Sequence, residues 1–579
     1  MIILGLNAFH ADSSACLFVD GKMVAAVEEE RFRRIKHWAG FPSQAIEFCL
    51  KSANIKIKDL DVVAINTQPK AARLKKIRFA LSGQASAALI REKLEVRKKR
   101  TSLEQYFETE FPEQEFNAQI EYVEHHHAHL ASAYSVSPYQ HASIISVDGF
   151  GDFASAAKGL GHKTHIEIQQ RVYFPHSLGV FYQALTQYLG FTNYGDEYKV
   201  MGLAPYGEVK YKQEMDDIVS VDLNGEFRLN LNYFQHHRQA IAYTWDNNEP
   251  QVSALYSDEL SNLLIPKRNK EQPLTQMHFD LARSIQDKYE RTFFHMLNVM
   301  HQQHGLDAVC IAGGCGMNSV ANGKIHLRTP YKNVYVQSAA GDAGGAIGAA
   351  VVAGQRLQGK TNFDMQHAYW GPAFEDEVSR DVIVSYTEAF VKNNCQIQLD
   401  MDNDGLLTLV SEAIAQGKVI GWFQGAMEWG PRALGNRSIL CDPRRADMKN
   451  ILNLKIKRRE SFRPFAPSVL RAEVPNWFES DADVPFMMKV FQVKESKRKL
   501  IPAVTHVDGS GRLQTVTKES NPRYHLLIEK FYQLSGVPML LNTSFNENEP
   551  IVCTPNQAIE CFLRTNMDML VVGAHLVTR

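Results

Sequence analysis

The N-terminal stretch "MIILGLNAFHADSSACLFVDGKMVAAV", residues 1–27, sets the architecture. Ile2–Asn7 is apolar, Ala8–Ser13 is small and polar, and Ala15–Val19 is apolar again. Asp20-Gly21 makes a tight turn and Met23–Val27 returns, so the pattern predicts strand, loop, strand, turn, strand. A helix from about Pro42 to Ser52 follows, with proline in its first turn, and Val62–Asn66 is another strand. A related pattern begins at Ser143. Ser143–Val147 is a strand, Asp148–Asp152 a glycine-containing acidic loop, and Ala154–Ala157 the start of a return. The two units read either as a duplicated fold with both loops facing one cleft or as two ordinary hairpins.

Farther along, Phe279–His304 is predicted helical and Ala308–Ala312 is a buried strand. Gly313-Gly314-Cys315-Gly316-Met317-Asn318 follows directly, Asn333–Gln337 is a strand, and Gly341-Asp342-Ala343-Gly344-Gly345 opens a small-residue helix. Strand, glycine turn and helix in that order point backbone N–H groups at an anion. Residues 354–374 hold Gly, Pro and polar residues without periodicity. The expected organisation is therefore a first domain over 1–355, a linker over 356–374 and a second domain over 375–579.

The 579 residues exceed one core, since domains run about 100–200 residues. Apolar residues at 45% and charged ones at 22% fit a globular chain and exclude fibrous and disordered classes. Lys and Arg total 63 against 64 Asp and Glu, a balance that argues against bulk nucleic-acid binding by counterion release. The longest apolar stretch, Ala343 to Gly354, is too short to span a bilayer. The start lacks a basic n-region, and the 8 cysteines form no CxxC pair, so reduced thiols in a cytoplasmic protein are expected. One segment is locally basic. Residues 70–100 contain Lys70, Arg73, Lys75, Lys76, Arg78, Arg91, Lys93, Arg97, Lys98, Lys99 and Arg100 against Glu92 and Glu95. It is either a solvated helical face or a docking surface for an anionic acceptor, a carrier or a membrane.

Glu124-His125-His126-His127-Ala128-His129 is the densest local constellation. On a helix, His125 and His129 lie on one face one turn apart, and two imidazoles there converge on one ion. His127 points elsewhere, and His126 competes for the same role. Asp148 ends a strand nineteen residues after His129, and Asp342 sits at a glycine-rich strand-to-helix turn. Two histidines with carboxylates suit a divalent Fe, Mn or Zn ion, whereas a solvent-facing histidine run is the other reading. In the C-terminal half, "EWGPRALGNRS" (428–438), "KIKRRESFRPFAP" (455–467), "DGSGR" (508–512) and "LNTSFN" (541–546) set arginines on rigid turns. Such arginines capture phosphate or carboxylate bidentately, or else pair with surface acids.

These motifs, together with "EEERFRRIKH" (28–37), "EHHHAHLASAY" (124–134), "DEYKVMGLAPYG" (196–207), "GGCGMNS" (313–319), "EWGPRALGNRSIL" (428–440) and "FRPFAPSVL" (462–470), resemble the O-carbamoyltransferases of the NodU/CmcH type over nearly the whole chain. The resemblance implies an α/β protein. Its N-terminal domain would be of the actin-like ATPase class (ribonuclease H-like, duplicated) and its C-terminal α/β domain YrdC-like. It implies that the C-terminal domain makes carbamoyl adenylate from carbamoyl phosphate and ATP, with Arg432, Lys457, Arg463, Arg512, Asn542 and Ser544 matching that site. It implies transfer in the N-terminal domain to a hydroxyl of a small-molecule or glycan acceptor. There His125, His129, Asp148 and Asp342 match the metal ligands, with Fe²⁺ ahead of Mn²⁺ or Zn²⁺, and Mg²⁺ accompanies ATP. Gly313, Gly314, Gly316 and Asn318 match the nucleotide loop, with Glu197 and Lys199 near it. His10, Asp12 and Lys36 match the catalytic positions. This chain reads His10-Ala11-Asp12 where the family's usual pattern has His directly before Asp. The resemblance leaves a homodimer open. A fused threonylcarbamoyl-type tRNA-modifying enzyme is the alternative function, because the same folds serve that chemistry.

Overall fold

The computed structural model describes residues 1–83, 86, 102–239, 241, 243–246, 249–359 and 363–579. Arg91, Lys93, Arg97, Lys98, Lys99 and Arg100 of the basic segment lie outside the described residues, as do 360–362. The chain folds as two compact units. One comprises Met1–Asn318 with Ile325–Met365, the other Ser319–Lys324 with Gln366–Arg579.

The first unit is built on two sheets of the same design. Strands β1 (Ile2–Asn7), β2 (Ser14–Val19), β3 (Lys22–Glu28), β4 (Val62–Ile65) and β5 (Gln119–Tyr122) stand in the order β3-β2-β1-β4-β5. The meander β1–β3 is antiparallel, and β4 and β5 add in parallel on the other side of β1. The second sheet repeats this with β6 (His141–Gly151), β7 (Ala154–His162) and β8 (His165–Tyr173) as the meander. Its parallel strands arrive much later. Two short hairpins, β9 (Val219–Val221) with β10 (Phe227–Leu229) and β11 (Tyr243–Asp246) with β12 (Glu249–Val252), intervene before β13 (Ala308–Ala312) and β14 (Asn333–Val336). The final order is β14-β13-β6-β7-β8. Matching topology on both sheets makes this unit a duplicated ribonuclease H-like fold of the actin-like ATPase class.

The first sheet closes over Leu4, Leu6, Leu17 and Val27, which pack against Ile46, Cys49 and Leu50 of the helix Ser43–Ser52. The glycine turn at 313 is dictated sterically. Gly313 has φ of +85°, and a Cβ there would collide with the carbonyl oxygen of Val147 on β6.

The second unit is also α/β, built on one nine-stranded mixed sheet. Its strands are β15 (Gln396–Gln398), β16 (Ile420–Phe423), β17 (Arg437–Cys441), β18 (Ala466–Leu470), β19 (Lys489–Gln492), β20 (Ser510–Val516), β21 (Met539–Ser544), β22 (Met569–Val572) and β23 (His575–Thr578). They stand in the order β15-β23-β22-β16-β17-β21-β18-β20-β19. The strands β16 and β22 read as continuous apolar runs because both faces are covered. Leu527, Ile528 and Phe531 of the helix Pro522–Ser535 and Phe562 of the helix Pro555–Arg564 join that core. None of the eight cysteines forms a disulfide. No helix of the described residues is long and apolar enough to cross a membrane.

Candidate functional site

The histidine motif folds as the helix His125–Tyr134. Glu124 caps it, its carboxylate accepting the backbone N–H groups of His126 and His127, while Arg171 donates to the same carboxylate at 3.0 Å. Asp152 adds a second clamp by accepting the N–H groups of His125 and Gln68, at 2.9 and 2.7 Å. Contrary to the expectation that His126 competes with His125 and His129, its ring turns away from theirs. His126 turns to Ser146, Nδ1 to Oγ 2.7 Å, and burial pushes it down to about 3, so it stays neutral.

His125 and His129 face Asp148 and Asp342. Asp148 leaves the β6–β7 ladder at an irregularity between Val147 and Gly151, and Asp342 opens the short turn Asp342–Gly344 before the helix Gly345–Gln358. His129 Nε2 lies 3.0 Å from His125 Nε2 and 2.9 Å from Asp148 Oδ2. His125 Nε2 is 3.2 Å from Asp148 Oδ2, and Asp342 Oδ1 is 3.6 and 3.4 Å from the two imidazole nitrogens. The glycine at 151 is required here, because a Cβ there would enter the His125 ring.

These spacings suit an ion. Ligand atoms about 2.1 Å from a metal stand about 3.0 Å apart at right angles and about 3.4 Å apart in a tetrahedron. The charges agree. Burial alone would raise Asp148, but hydrogen bonds from both histidines hold it well below the usual carboxylate range. Asp342 is raised by burial and by the charge of Asp148. Both imidazole Nε2 atoms and one oxygen from each carboxylate face one point. The donor set therefore fits a divalent cation.

Two of the three candidate catalytic residues serve different partners. The His10 ring lies 5.4 Å from that of His125. Asp12 instead receives His37, Nδ1 to Oδ1 2.7 Å. Asn7 shapes the loop between them by donating to the carbonyls of Ala11 and Asp12, both at 2.9 Å. Lys36 precedes His37 on the segment packed against that loop, where Gly40 accepts the Phe9 N–H. Asp12, Glu30 and His37 also cluster closely, yet Glu30 already accepts the His37 N–H and pairs with Arg31, so this group is satisfied without an ion. Glu197 begins the helix Glu197–Leu203. Burial first, and then the charges of Asp196 and Asp12 against that of His37, push it up to about 7. Lys199 pairs with Asp196 at 2.9 Å.

The glycine loop turns part of its polarity inward. The Gly314 N–H goes to Asp148 Oδ1 at 3.0 Å and the Gly316 N–H to the Gly313 carbonyl at 2.8 Å. Asn318 exchanges a reciprocal amide pair with Gln286. The loop is thereby tied to the ligand strand β6.

In the second unit, Glu428 organises the first arginine motif. Its Oε1 accepts the backbone N–H groups of Leu434, Asn436 and Arg437 at 2.7, 2.9 and 3.2 Å. Arg437 is a structural arginine, stacked 3.7 Å over Phe423 and donating to the Gln424 and Pro372 carbonyls. Arg432 differs. Its Nε is buried without a hydrogen-bond partner among the described residues, and burial with the charge of Arg463 lowers it to about 10. Burial and then Arg432, Arg459 and Arg463 push Arg512 well below its ordinary value. Lys457 is spent otherwise, donating to the Ser544 and Asn546 carbonyls and to Asn546 Oδ1, which pins the 544–546 turn. Asn542 donates to the Ala433 carbonyl and to Ser468 Oγ, at 3.0 and 2.9 Å. Ser544 donates to Asn546 at 2.7 Å. Sequence reasoning missed His37, Glu428 and His506. His506 is lowered to about 4, by burial first and with Arg512 adding to that effect. His37 acts through Asp12, remote in the chain, whereas Glu428 and His506 bond to residues close in sequence whose turns only the fold reveals.

Comparison with known proteins agrees with this division. The model of the carbamoyltransferase N-terminus matches residues 2–351 and that of the carbamoyltransferase C-terminus residues 411–579. The nodulation protein NolNO of Sinorhizobium fredii is similar at 38% identity, over 99% of this chain and 80% of that protein. The nodulation protein NolO of Bradyrhizobium diazoefficiens is 38% identical over 79% of this chain and 78% of its own length. Protein sll1178 of Synechocystis is 40% identical over 98% of this chain and 95% of its own length. With both of its family models matched in order along one chain, the protein belongs to the carbamoyltransferase family of the NodU type and is a carbamoyl-transferring enzyme.

Proposed function

We propose that the enzyme is an ATP-dependent O-carbamoyltransferase that works through carbamoyl adenylate. In the second unit, water cleaves carbamoyl phosphate to phosphate and carbamate. A carbamate oxygen then attacks the α-phosphorus of ATP and releases pyrophosphate. In the first unit, the hydroxyl oxygen of a sugar or natural-product acceptor attacks the carbamoyl carbon, the bond to AMP breaks, and the hydroxyl proton passes to His10. Lys36 stabilises charge developing on the carbamoyl oxygen.

The observation that supports this reading is the crowding of the half-buried Arg432, Arg463 and Arg512 in the second-unit site. Like charges repel there, and a polyanion relieves the repulsion. These arginines bind phosphate oxygens, Asn542 and Ser544 orient the carbamoyl group, and Lys457 supports them by fixing the 544–546 turn. In the first unit, Glu197, Lys199 and the Gly313, Gly314, Gly316 and Asn318 loop line the nucleotide. His125, His129, Asp148 and Asp342 would hold a divalent ion, Fe²⁺ ahead of Mn²⁺ or Zn²⁺. Such an ion supplies Lewis-acid neutralisation of phosphate charge when bound.

The direct test follows pyrophosphate and AMP separately. Pyrophosphate should appear from ATP only with carbamoyl phosphate present, and AMP should accumulate with an acceptor. Carbamoyl transfer without ATP consumption would overturn the adenylate route.

A further inference from the structure

Between Lys70 and Gly83 the chain carries five cations, Lys70, Arg73, Lys75, Lys76 and Arg78, and no carboxylate. Arg73–Leu81 is a helix, and none of its residues is fully buried. Its inward face is aromatic. Phe79 packs edge-on against Phe153 and Phe174, with ring centroids 6.0 and 4.9 Å away.

At about 100° per residue, Leu74, Ile77 and Leu81 fall within one narrow stripe. That stripe faces outward, the three residues being 84%, 56% and 82% exposed. Arg78 flanks it on one side and Arg73 on the other, while the Lys75 ammonium lies 5.1 Å from the centre of the Tyr173 ring. A surface helix ordinarily turns its apolar stripe inward, so this orientation is inverted. Aliphatic side chains presented outward between rows of cations match a helix lying in a lipid headgroup region. There the apolar residues reach the acyl boundary and the cations meet acidic headgroups. A soluble acidic partner would use the cations but has no need of an exposed aliphatic stripe.

We propose that the helix Arg73–Leu81 docks the enzyme on an anionic lipid surface, with Leu74, Ile77 and Leu81 inserting and Arg73 and Arg78 contacting acidic headgroups. Lys70 and Lys76 add to the local field. Phe153, against which the helix is anchored, follows Asp152, the residue that clamps the His125 N–H. Docking thus brings the lipid surface toward the loop that carries Asp148. The proposal does not depend on the adenylate route.

The test sediments the full-length protein with vesicles of phosphatidylcholine alone and of phosphatidylcholine mixed with phosphatidylglycerol. Binding is expected to the anionic vesicles only and to fall with added salt. The combined variant Leu74→Ser, Ile77→Ser, Leu81→Ser should lose it, as should Leu74→Glu alone, whose site is too exposed to endanger folding. Arg73→Gln and Arg78→Gln should each weaken partitioning about fivefold. Absence of binding to anionic vesicles overturns the proposal. Retention of full binding by the serine variant also overturns it, because the contact is then one of charge alone.

Discussion

His37 Nδ1 stands 2.7 Å from Asp12 Oδ1, so the aspartate one residue beyond Ala11 is held by a histidine from the following segment. The ring of His10 is left beside His125. Burial alone would lower His37, but the charge and hydrogen bond of Asp12 raise it to about 9. A histidine raised above its unfolded value of about 6.5 contributes its full stabilisation below that pH and loses it as pH climbs through about 9. His37→Asn should therefore destabilise the protein at about pH 6 and cost markedly less above about pH 9. Urea unfolding at the two pH values checks this, and an equal cost at both removes the ion pair as the cause.

Glu197 titrates with the opposite consequence. Burial holds it at about 7, so its ionisation penalises the folded state as pH rises from about 4.5 to about 7. Glu197→Gln should leave stability nearly unchanged at about pH 5 and raise it relative to the parent at about pH 8. A variant less stable than the parent at the higher pH would contradict that sign.

His129→Ala removes a ligand atom that lies 2.9 Å from Asp148 and 3.0 Å from His125. Loss of metal content by more than about 100-fold in affinity is expected, since even supporting residues of such sites cost about 10–100-fold. Pyrophosphate release in the second unit should persist while carbamoyl transfer stops. Metal analysis with the two product assays separates these effects, and joint loss of both half-reactions refutes the division between units.

Arg512→Ala should lower kcat/KM for carbamoyl phosphate by about 10- to 100-fold, the range for a hydrogen bond to a charged group. Without ligand it should raise the melting temperature, because one of several mutually repelling guanidinium groups is gone. Calorimetry with and without substrate reads both, and a drop in the ligand-free melting temperature counts against the crowding.

Gly313→Ala should cost at least about 2 kcal/mol, from the left-handed backbone penalty and from collision with the Val147 carbonyl. Chemical denaturation measures the loss. A cost below about 0.5 kcal/mol would mean the turn relaxes freely.

Four strands of the first sheet were legible, three of them because the meander is local, whereas β5 (Gln119–Tyr122) was not foreseen. Ile2–Asn7, Ala15–Val19 and Met23–Val27 are close neighbours in sequence and in the sheet. The second sheet was half legible. Its β6–β7 hairpin showed the repeat, but β13 and β14 join it only after more than a hundred intervening residues, and no local pattern announces that pairing. His125 and His129 were placed together by helical periodicity alone. Asp148 and Asp342 needed the fold, because strands and a turn remote in sequence bring them within reach. Lys457 shows the reverse limit. A lysine in a cationic motif reads as a phosphate ligand, yet its protons are taken by backbone and amide oxygens that only the tertiary structure supplies.

The matched sheets give the first unit two equivalent loop positions, one after β1 and one after β6. Each carries an aspartate that faces histidine, Asp12 with His37 and Asp148 with His125 and His129. The first pairing is self-neutralising. The second, joined by Asp342, gathers two imidazoles and two carboxylates around one point. Two sheets of the same strand order therefore carry different sets of ionisable groups at equivalent loops. The handedness of the chemistry resides in a few side chains, and a substitution that made the two loops alike would erase it without altering the fold.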